Sequence, residues 1–107
     1  MAAIHMDQKQ FEASLKEEKP ALVDFWAPWC GYCRRIGPAY DKVAEEYGDT
    51  ITVGKVNIDE NPQLAEAEQI EVIPTLVLYR NGRAVDSIVA PESKAMIDRF
   101  IKAALEK

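Results

Sequence analysis

The sequence predicts a single α/β domain built on a mixed β-sheet. Three observations support this fold class: strand and helix patterns alternate along residues 2–58, an Asn-Gly pair joins two later strand patterns, and an amphipathic helix pattern follows them. A strand, a long helix and a second strand favour parallel pairing through a right-handed crossover, whereas Asn-Gly favours an antiparallel hairpin. The 107 residues, 48% of them hydrophobic, suffice for one domain with its own core.

The first 20 residues indicate a short strand and a helix. A strand pattern covers residues 2–6, "AAIHM". Asp7 is the expected N-cap of the helix, because Gln10 stands three residues later, where its side chain can reach back to the N-cap backbone. We expect the helix to end at Lys19-Pro20, since proline has no backbone N–H with which to continue it.

The next segment contains a buried strand followed by a long helix. Residues 21–26, "ALVDFW", form a short apolar run with β-branched and aromatic members, which is typical of a buried strand. Asp24 is an acidic residue inside that run. Apolar residues then recur at helical spacing as far as Gly48. We expect a helix that begins at or near Cys30 and is interrupted and kinked at Pro38.

The rest of the chain completes the sheet. Residues 51–58, "ITVGKVNI", are the next strand, and Asn61-Pro62 opens a shorter helix with proline at its first position. Two parallel strands and a hairpin are therefore expected. The hairpin strands cover residues 75–80 and 84–89 around Asn81-Gly82, and Ser93 caps the final helix.

Charge and hydropathy exclude several partners. The formal net charge is −5 and both signs are scattered along the chain, so there is no basic surface of the kind that binds nucleic acid. No apolar run approaches the roughly 20 residues of a membrane span, and the opening "MAAIHMDQ" lacks the pattern of a signal peptide. We expect a cytoplasmic protein that binds neither nucleic acid nor a membrane.

Both cysteines of the chain lie in one motif, "WCGYC", at residues 29–33. A structural staple is disfavoured, because two cysteines three positions apart close a loop too short to constrain much of the unfolded chain. A zinc site is also disfavoured, since it needs four donors and the only histidine, His5, is far away in sequence. A dithiol that cycles between reduced and oxidised forms is the favoured interpretation.

The expected position of the pair assigns different chemistry to its two members. Free backbone N–H groups and the positive end of the helix dipole favour an anion at a helix N-terminus. A thiolate at Cys30 is the anion that we expect there, and thiolate is the reactive form, so Cys30 is the expected nucleophile. Cys33, one turn further into the helix, is close enough to bridge to Cys30 and is expected to be covered.

Four segments resemble the thioredoxin family in their order and spacing: "VDFWAPWCGYC" at 23–33, "KVNIDENP" at 55–62, "IPT" at 73–75 and "NG" at 81–82. The resemblance covers nearly the whole chain. It implies one thioredoxin domain over residues 1–107, with a central mixed β-sheet flanked by helices on both faces.

The resemblance also implies an activity, which is the reduction of disulfides in protein substrates. Cys30 would attack the substrate disulfide, Cys33 would resolve the mixed disulfide, and a thioredoxin reductase drawing on NADPH would reduce the resulting Cys30–Cys33 disulfide. No bound cofactor or metal is expected, and the protein is expected to be a monomer.

Two charged strand residues match the family's catalytic positions. If Asp24 is buried, as the resemblance implies, desolvation should raise its pKa and let it exchange a proton with Cys33; at a sheet edge it would simply face solvent. Lys55 matches the family lysine beside this acid. The alternative interpretation of Lys55 is an ordinary strand lysine whose ammonium group reaches water.

Further positions follow from the resemblance alone. In the family an aromatic residue and a cis-proline frame the groove in which substrate backbone pairs beside the cysteines. The residues assigned to substrate binding are Trp29, Gly31, Tyr32, Ile73, Pro74 and Ala90. The residues assigned to structural support are Trp26, Asp59 and Pro38.

Two departures from the family pattern are notable. Tyr32 stands where thioredoxins generally have proline, and it restores a backbone N–H that can stabilise the Cys30 thiolate. We expect a potential about 30 to 60 mV more oxidising than with proline. The second departure is Ala90-Pro91, where many relatives have glycine in place of Ala90. The methyl group of Ala90 is expected to narrow the range of protein partners.

The more oxidising potential expected from Tyr32 makes a disulfide isomerase or oxidase the alternative function. A binding module with an incidental dithiol is the third.

Overall fold

The computed structural model describes residues 2–107; Met1, the first residue of the expected domain, lies outside them. The α/β class is confirmed, with strands and helices alternating as far as the hairpin. The elements in chain order are β1 (Ile4–His5), α1 (Gln8–Leu15), β2 (Ala21–Trp26), α2 (Gly31–Tyr47), β3 (Thr52–Asn57), α3 (Pro62–Ala67), β4 (Thr75–Arg80), β5 (Arg83–Val89) and α4 (Lys94–Leu105).

The sheet has the order β1-β3-β2-β4-β5. β1, β3 and β2 are parallel to one another, whereas β4 pairs antiparallel with both β2 and β5. The expectation of only two parallel strands was therefore too low, because β1 pairs with β3 as a third. β2 is the central strand, so residues at its carboxyl end are held by neighbours on both sides.

Helices cover both faces of the sheet, and β2 shows how the faces divide. Leu22 packs in a core cluster with residues of α2 and α4. Val23 and Phe25 pack on the opposite face with Phe11 of α1 and Leu64 of α3. Since side chains alternate along a strand, Asp24 shares the face of Leu22, beneath α2.

The local start and stop signals explain most element boundaries. Asp7 and Gln10 form the expected capping box, but α1 ends at Leu15, before the expected stop at Lys19-Pro20. Asn81 and Gly82 both have positive φ, 55° and 78°, as a tight two-residue hairpin turn requires.

α2 also begins where the sequence predicts, with Cys30 as its N-cap. The expected interruption at Pro38 was wrong, because the helix continues through Pro38 to Tyr47. Ser93 caps α4 by accepting a hydrogen bond from the Met96 N–H. None of the helices in residues 2–107 is long and apolar enough to cross a membrane.

Candidate active site

Cys30 and Cys33 form a disulfide at the N-terminus of α2, with their Cα atoms 5.3 Å apart. Cys30 is partly exposed, whereas Cys33 is 2% exposed. The backbone N–H of Cys33 donates a hydrogen bond to the Cys30 sulfur at 3.2 Å. The sulfur that solvent reaches thus lies at the positive end of a helix and beside a backbone donor, which favours a negative charge on it.

Tyr32 makes a different contact from the one expected of it. The donor to the Cys30 sulfur is the backbone N–H of Cys33. Cys30 is the N-cap and Cys33 is the third helical residue, and an N-cap side chain normally accepts a hydrogen bond from the N–H at that position. The expected role of the Tyr32 N–H concerns the reduced pair and stays a prediction. The Tyr32 hydroxyl donates to the Pro91 carbonyl at 3.0 Å.

The segment around Pro74 lies directly beside the disulfide. The Ile73–Pro74 peptide is cis, and the Ile73 carbonyl oxygen is 4.0 Å from the Cys30 sulfur. The Ala90 N–H donates to the Pro74 carbonyl at 2.9 Å. Residues 73–74 and Ala90, which are far apart in sequence, therefore adjoin each other next to Cys30.

Trp29 is the most exposed large hydrophobic residue at the site, with 67% of its surface accessible. Its indole N–H donates to a carboxylate oxygen of Asp59 at 3.2 Å. Val72, which precedes Ile73, is also exposed. The sequence analysis did not include Val72 among the site residues, although Val72 and Ile73 form an apolar pair directly before Pro74.

Asp24 is 1% exposed, and neither of its carboxylate oxygens has a hydrogen-bond partner among residues 2–107. Burial raises the pKa of Asp24 to about 7, and the positive charge of Lys55 partly offsets this rise. The carboxyl group therefore changes its protonation state near neutral pH.

Lys55 lies opposite Asp24 in the register between β3 and β2. Its ammonium group is 4.4 Å from the centre of the Trp26 ring, a favourable cation–π geometry. The buried Trp26 Nε1 has no hydrogen-bond partner within the described chain. Trp26 therefore holds Lys55 by its ring face, while Asp59 pairs with Trp29.

The remaining assigned residues differ in how near they lie to the disulfide. Gly31 is the first residue of α2, and a Cβ built there would meet no atom of residues 2–107 within 4 Å. Pro38 is an exposed residue two turns further along α2. From sequence, Pro91 was noted only as part of the Ala90-Pro91 departure from the family pattern. Its role as the acceptor of Tyr32 was missed because the two residues are 59 positions apart.

Residues 2–107 contain no group of three or more His, Cys, Asp or Glu side chains arranged to hold a metal ion. A helix-start disulfide with one accessible sulfur, next to a cis-proline and following a strand that contains a buried acid, defines the site of a thiol–disulfide oxidoreductase.

Comparison with known proteins identifies the family. The family model described as Thioredoxin matches residues 2–103, so the chain belongs to the thioredoxin family. Thioredoxin 1 of Synechococcus elongatus is 42% identical over 97 residues, which cover 91% of both chains. Thioredoxin of Acidithiobacillus ferridurans is 42% identical over 105 residues, 97% of both chains.

A solved structure confirms the fold. A mutant thioredoxin from Halobacterium salinarum NRC-1 superimposes with a TM-score of 0.86 at 28% identity, over 96% of this chain and 90% of that one. The thioredoxin fold and the protein-disulfide oxidoreductase activity expected from sequence are thus confirmed. Thioredoxins need no bound cofactor, and the isomerase or oxidase alternative is not favoured.

Proposed function

We propose that the protein reduces disulfides of protein substrates, with Cys30 as nucleophile and Cys33 as resolving thiol. The observation that carries this order is the unequal exposure of the pair, since only Cys30 is open to an incoming disulfide while Cys33 is covered. The Cys33 N–H and the N-terminus of α2 both favour a thiolate at Cys30.

The reaction consists of two exchanges. The Cys30 thiolate attacks one substrate sulfur, a bond between them forms, and the substrate disulfide breaks to release a thiolate that takes a proton. Cys33 then gives up its proton and attacks the Cys30 sulfur, so that the Cys30–Cys33 bond forms and the second substrate thiolate leaves. The substrate gains two electrons, and the protein's dithiol is oxidised.

Asp24 is proposed to accept the proton of Cys33 during the second exchange. Its carboxyl group lies on the face of β2 that packs against α2, the helix that contains the buried Cys33. A pKa of about 7 suits a group that gains and loses a proton near neutral pH. Lys55 is proposed to keep that pKa from rising further, since its charge favours the ionised carboxylate.

Substrate is proposed to lie across the surface formed by Trp29, Ile73, Pro74 and Ala90. This placement is supported by the exposure of Trp29 and by the position of the Ile73 carbonyl next to the Cys30 sulfur. Gly31 and Tyr32 are proposed to border the same surface. A Cβ built at Gly31 would lie in open space.

Three residues are proposed to support the site structurally. Asp59 orients Trp29 through its hydrogen bond, and Trp26 holds the Lys55 ammonium over its ring. Pro38 lies within α2, where its lack of an N–H removes one bond of the helix and sets the local path of the chain.

Electrons are proposed to come from NADPH through a thioredoxin reductase, and the protein is proposed to act as a cytoplasmic monomer. Family membership supports the reductase, and the scattered surface charge with a net value of −5 supports a freely diffusing carrier. A bacterial thioredoxin reductase should oxidise NADPH in the presence of this protein and insulin. Cys30→Ser should abolish that oxidation, and equal NADPH consumption by this variant would reject the proposal.

The nucleophile is tested separately by alkylation. Iodoacetamide should modify Cys30 of the reduced protein well before Cys33, because only Cys30 is both accessible and stabilised as thiolate. Peptide mass analysis after short exposure distinguishes the two, and earlier modification of Cys33 would overturn the assignment.

A further inference from the structure

We propose that Tyr32 is a positioning residue that holds the segment of residues 90–91 in place for protein substrates. The proposal rests on the proposed function, in which this segment borders the substrate surface. Tyr32 stands between the two cysteines, and its hydroxyl donates to the Pro91 carbonyl at 3.0 Å. A residue that lies between the two cysteines in sequence is thus hydrogen-bonded directly to a segment of the proposed substrate surface.

The backbone of this segment needs such a tie. Ala90 has φ of 47°, in the left-handed region that a residue with a Cβ disfavours. Local preference alone would move Ala90 out of this conformation. Two hydrogen bonds hold it there, one from the Ala90 N–H to Pro74 and the other from Tyr32 to Pro91.

The Tyr32 side chain also borders an open cavity on the α2 side. An open cavity of about 340 Å³ lies between α2 and the start of α4, lined by residues that include Tyr32, Arg35, Glu92 and Ile97. Pro91 is buried and Ala90 is partly buried, and neither residue lines this cavity. The Tyr32 side chain reaches from α2 to Pro91 beside this cavity, so its hydrogen bond adds a directed contact to the packing of Pro91.

The test compares a protein disulfide with a small one. Reduced Tyr32→Phe keeps the ring and loses only the hydroxyl. In single-turnover experiments followed by tryptophan fluorescence, each reduced protein is mixed with insulin or with DTNB, whose small disulfide has no peptide chain to lie along residues 90–91. Loss of one neutral hydrogen bond should lower the insulin-to-DTNB efficiency ratio about three- to ten-fold, through a higher half-saturating insulin concentration rather than a lower maximum rate.

Tyr79→Phe is the matched control. The Tyr79 hydroxyl donates to Glu68 at 2.6 Å, away from the disulfide, so losing it should leave the insulin-to-DTNB ratio unchanged. Tyr32→Pro, which lacks the ring as well, should lower the ratio at least as far as Tyr32→Phe.

One result would overturn the proposal: an insulin-to-DTNB ratio in Tyr32→Phe equal to that of wild type, whether both efficiencies are unchanged or both fall by the same factor. Failure of the wild-type protein to reduce either disulfide would instead reject the proposed function, so the two failures are distinguishable.

Discussion

Asp24 and Lys55 lie opposite each other across the parallel pairing of β2 and β3, yet the Asp24 carboxylate has no hydrogen-bond partner among residues 2–107. Desolvation raises the pKa of Asp24 from 3.8 to about 7, and the nearby positive charge offsets only part of that rise. A buried acid that is partly ionised near neutral pH destabilises the fold, because its charge is removed from water without a hydrogen-bond partner among the described residues.

The first prediction concerns stability against pH. Because the folded protein binds the Asp24 proton more tightly than the unfolded chain does, this group makes the free energy of unfolding fall as pH rises from about 4 to about 7, by about 4 kcal/mol in total. Asp24→Asn has no carboxyl group to ionise at this position, so its free energy of unfolding should lack this fall with rising pH. We expect the oxidised variant to be more stable than wild type by about 2 to 4 kcal/mol at pH 8, measured by urea unfolding.

The gain should vanish at pH 4, where Asp24 is protonated in the folded state. Asp49→Asn serves as control, since Asp49 is exposed and its replacement should change stability by less than about 0.5 kcal/mol at either pH. An equal gain at pH 4 and pH 8 for Asp24→Asn would show that desolvation of the charge is not the cause.

The second prediction concerns the charge of Lys55. Lys55→Met removes the positive charge that lowers the pKa of Asp24, so this pKa should rise above about 7. An NMR titration of the Asp24 carboxyl carbon measures this shift directly. Lys42→Met, which removes an exposed lysine of α2, should leave the titration unaltered. A titration midpoint that Lys55→Met leaves in place would contradict the coupling.

The third prediction separates the backbone of Tyr32 from its side chain. Tyr32→Pro removes the backbone N–H available to the Cys30 thiolate, so the midpoint potential should become about 30 to 60 mV more negative. Tyr32→Ala keeps that N–H and loses only the side chain, so its potential should stay near that of wild type. Equilibration in defined thiol buffers gives the three potentials, and equal shifts in both variants would assign the effect to the side chain instead.

The fourth prediction concerns the contact between Trp29 and Asp59. Asp59→Ala removes the acceptor of the indole N–H, and because Trp29 is 67% exposed the ring should gain mobility. Protein unfolding should shift by less than about 1 kcal/mol, while the half-saturating insulin concentration should rise about two-fold. Glu60→Ala, at the neighbouring exposed position, should leave that concentration unchanged. A concentration unaltered by Asp59→Ala would remove Asp59 from the support of the site.

The sequence predicted β2, the start of α2 and the hairpin turn closely, because a continuous apolar run, a helix-start pair and Asn-Gly are strong local signals. The pairing of β1 with β3 was not predicted, since a strand of two residues is too short to show an alternating hydrophobic pattern. Contacts between distant residues were out of reach. The pairing of Tyr32 with Pro91 depends on how α2 and the β5–α4 connection meet in space, and no local pattern encodes that meeting.

The central claim is that Cys30 attacks and Cys33 resolves, and trapping of the mixed disulfide tests it most directly. Reduced Cys33→Ser mixed with native insulin, whose disulfides are intact, should accumulate a covalent adduct at Cys30. Non-reducing electrophoresis detects the adduct, and peptide mass analysis assigns it to Cys30. Cys30→Ser, whose remaining thiol is 2% exposed, should form little adduct in the same time. Adduct formation by Cys30→Ser at the rate of Cys33→Ser, or insulin reduction with full turnover by either variant, would contradict the account.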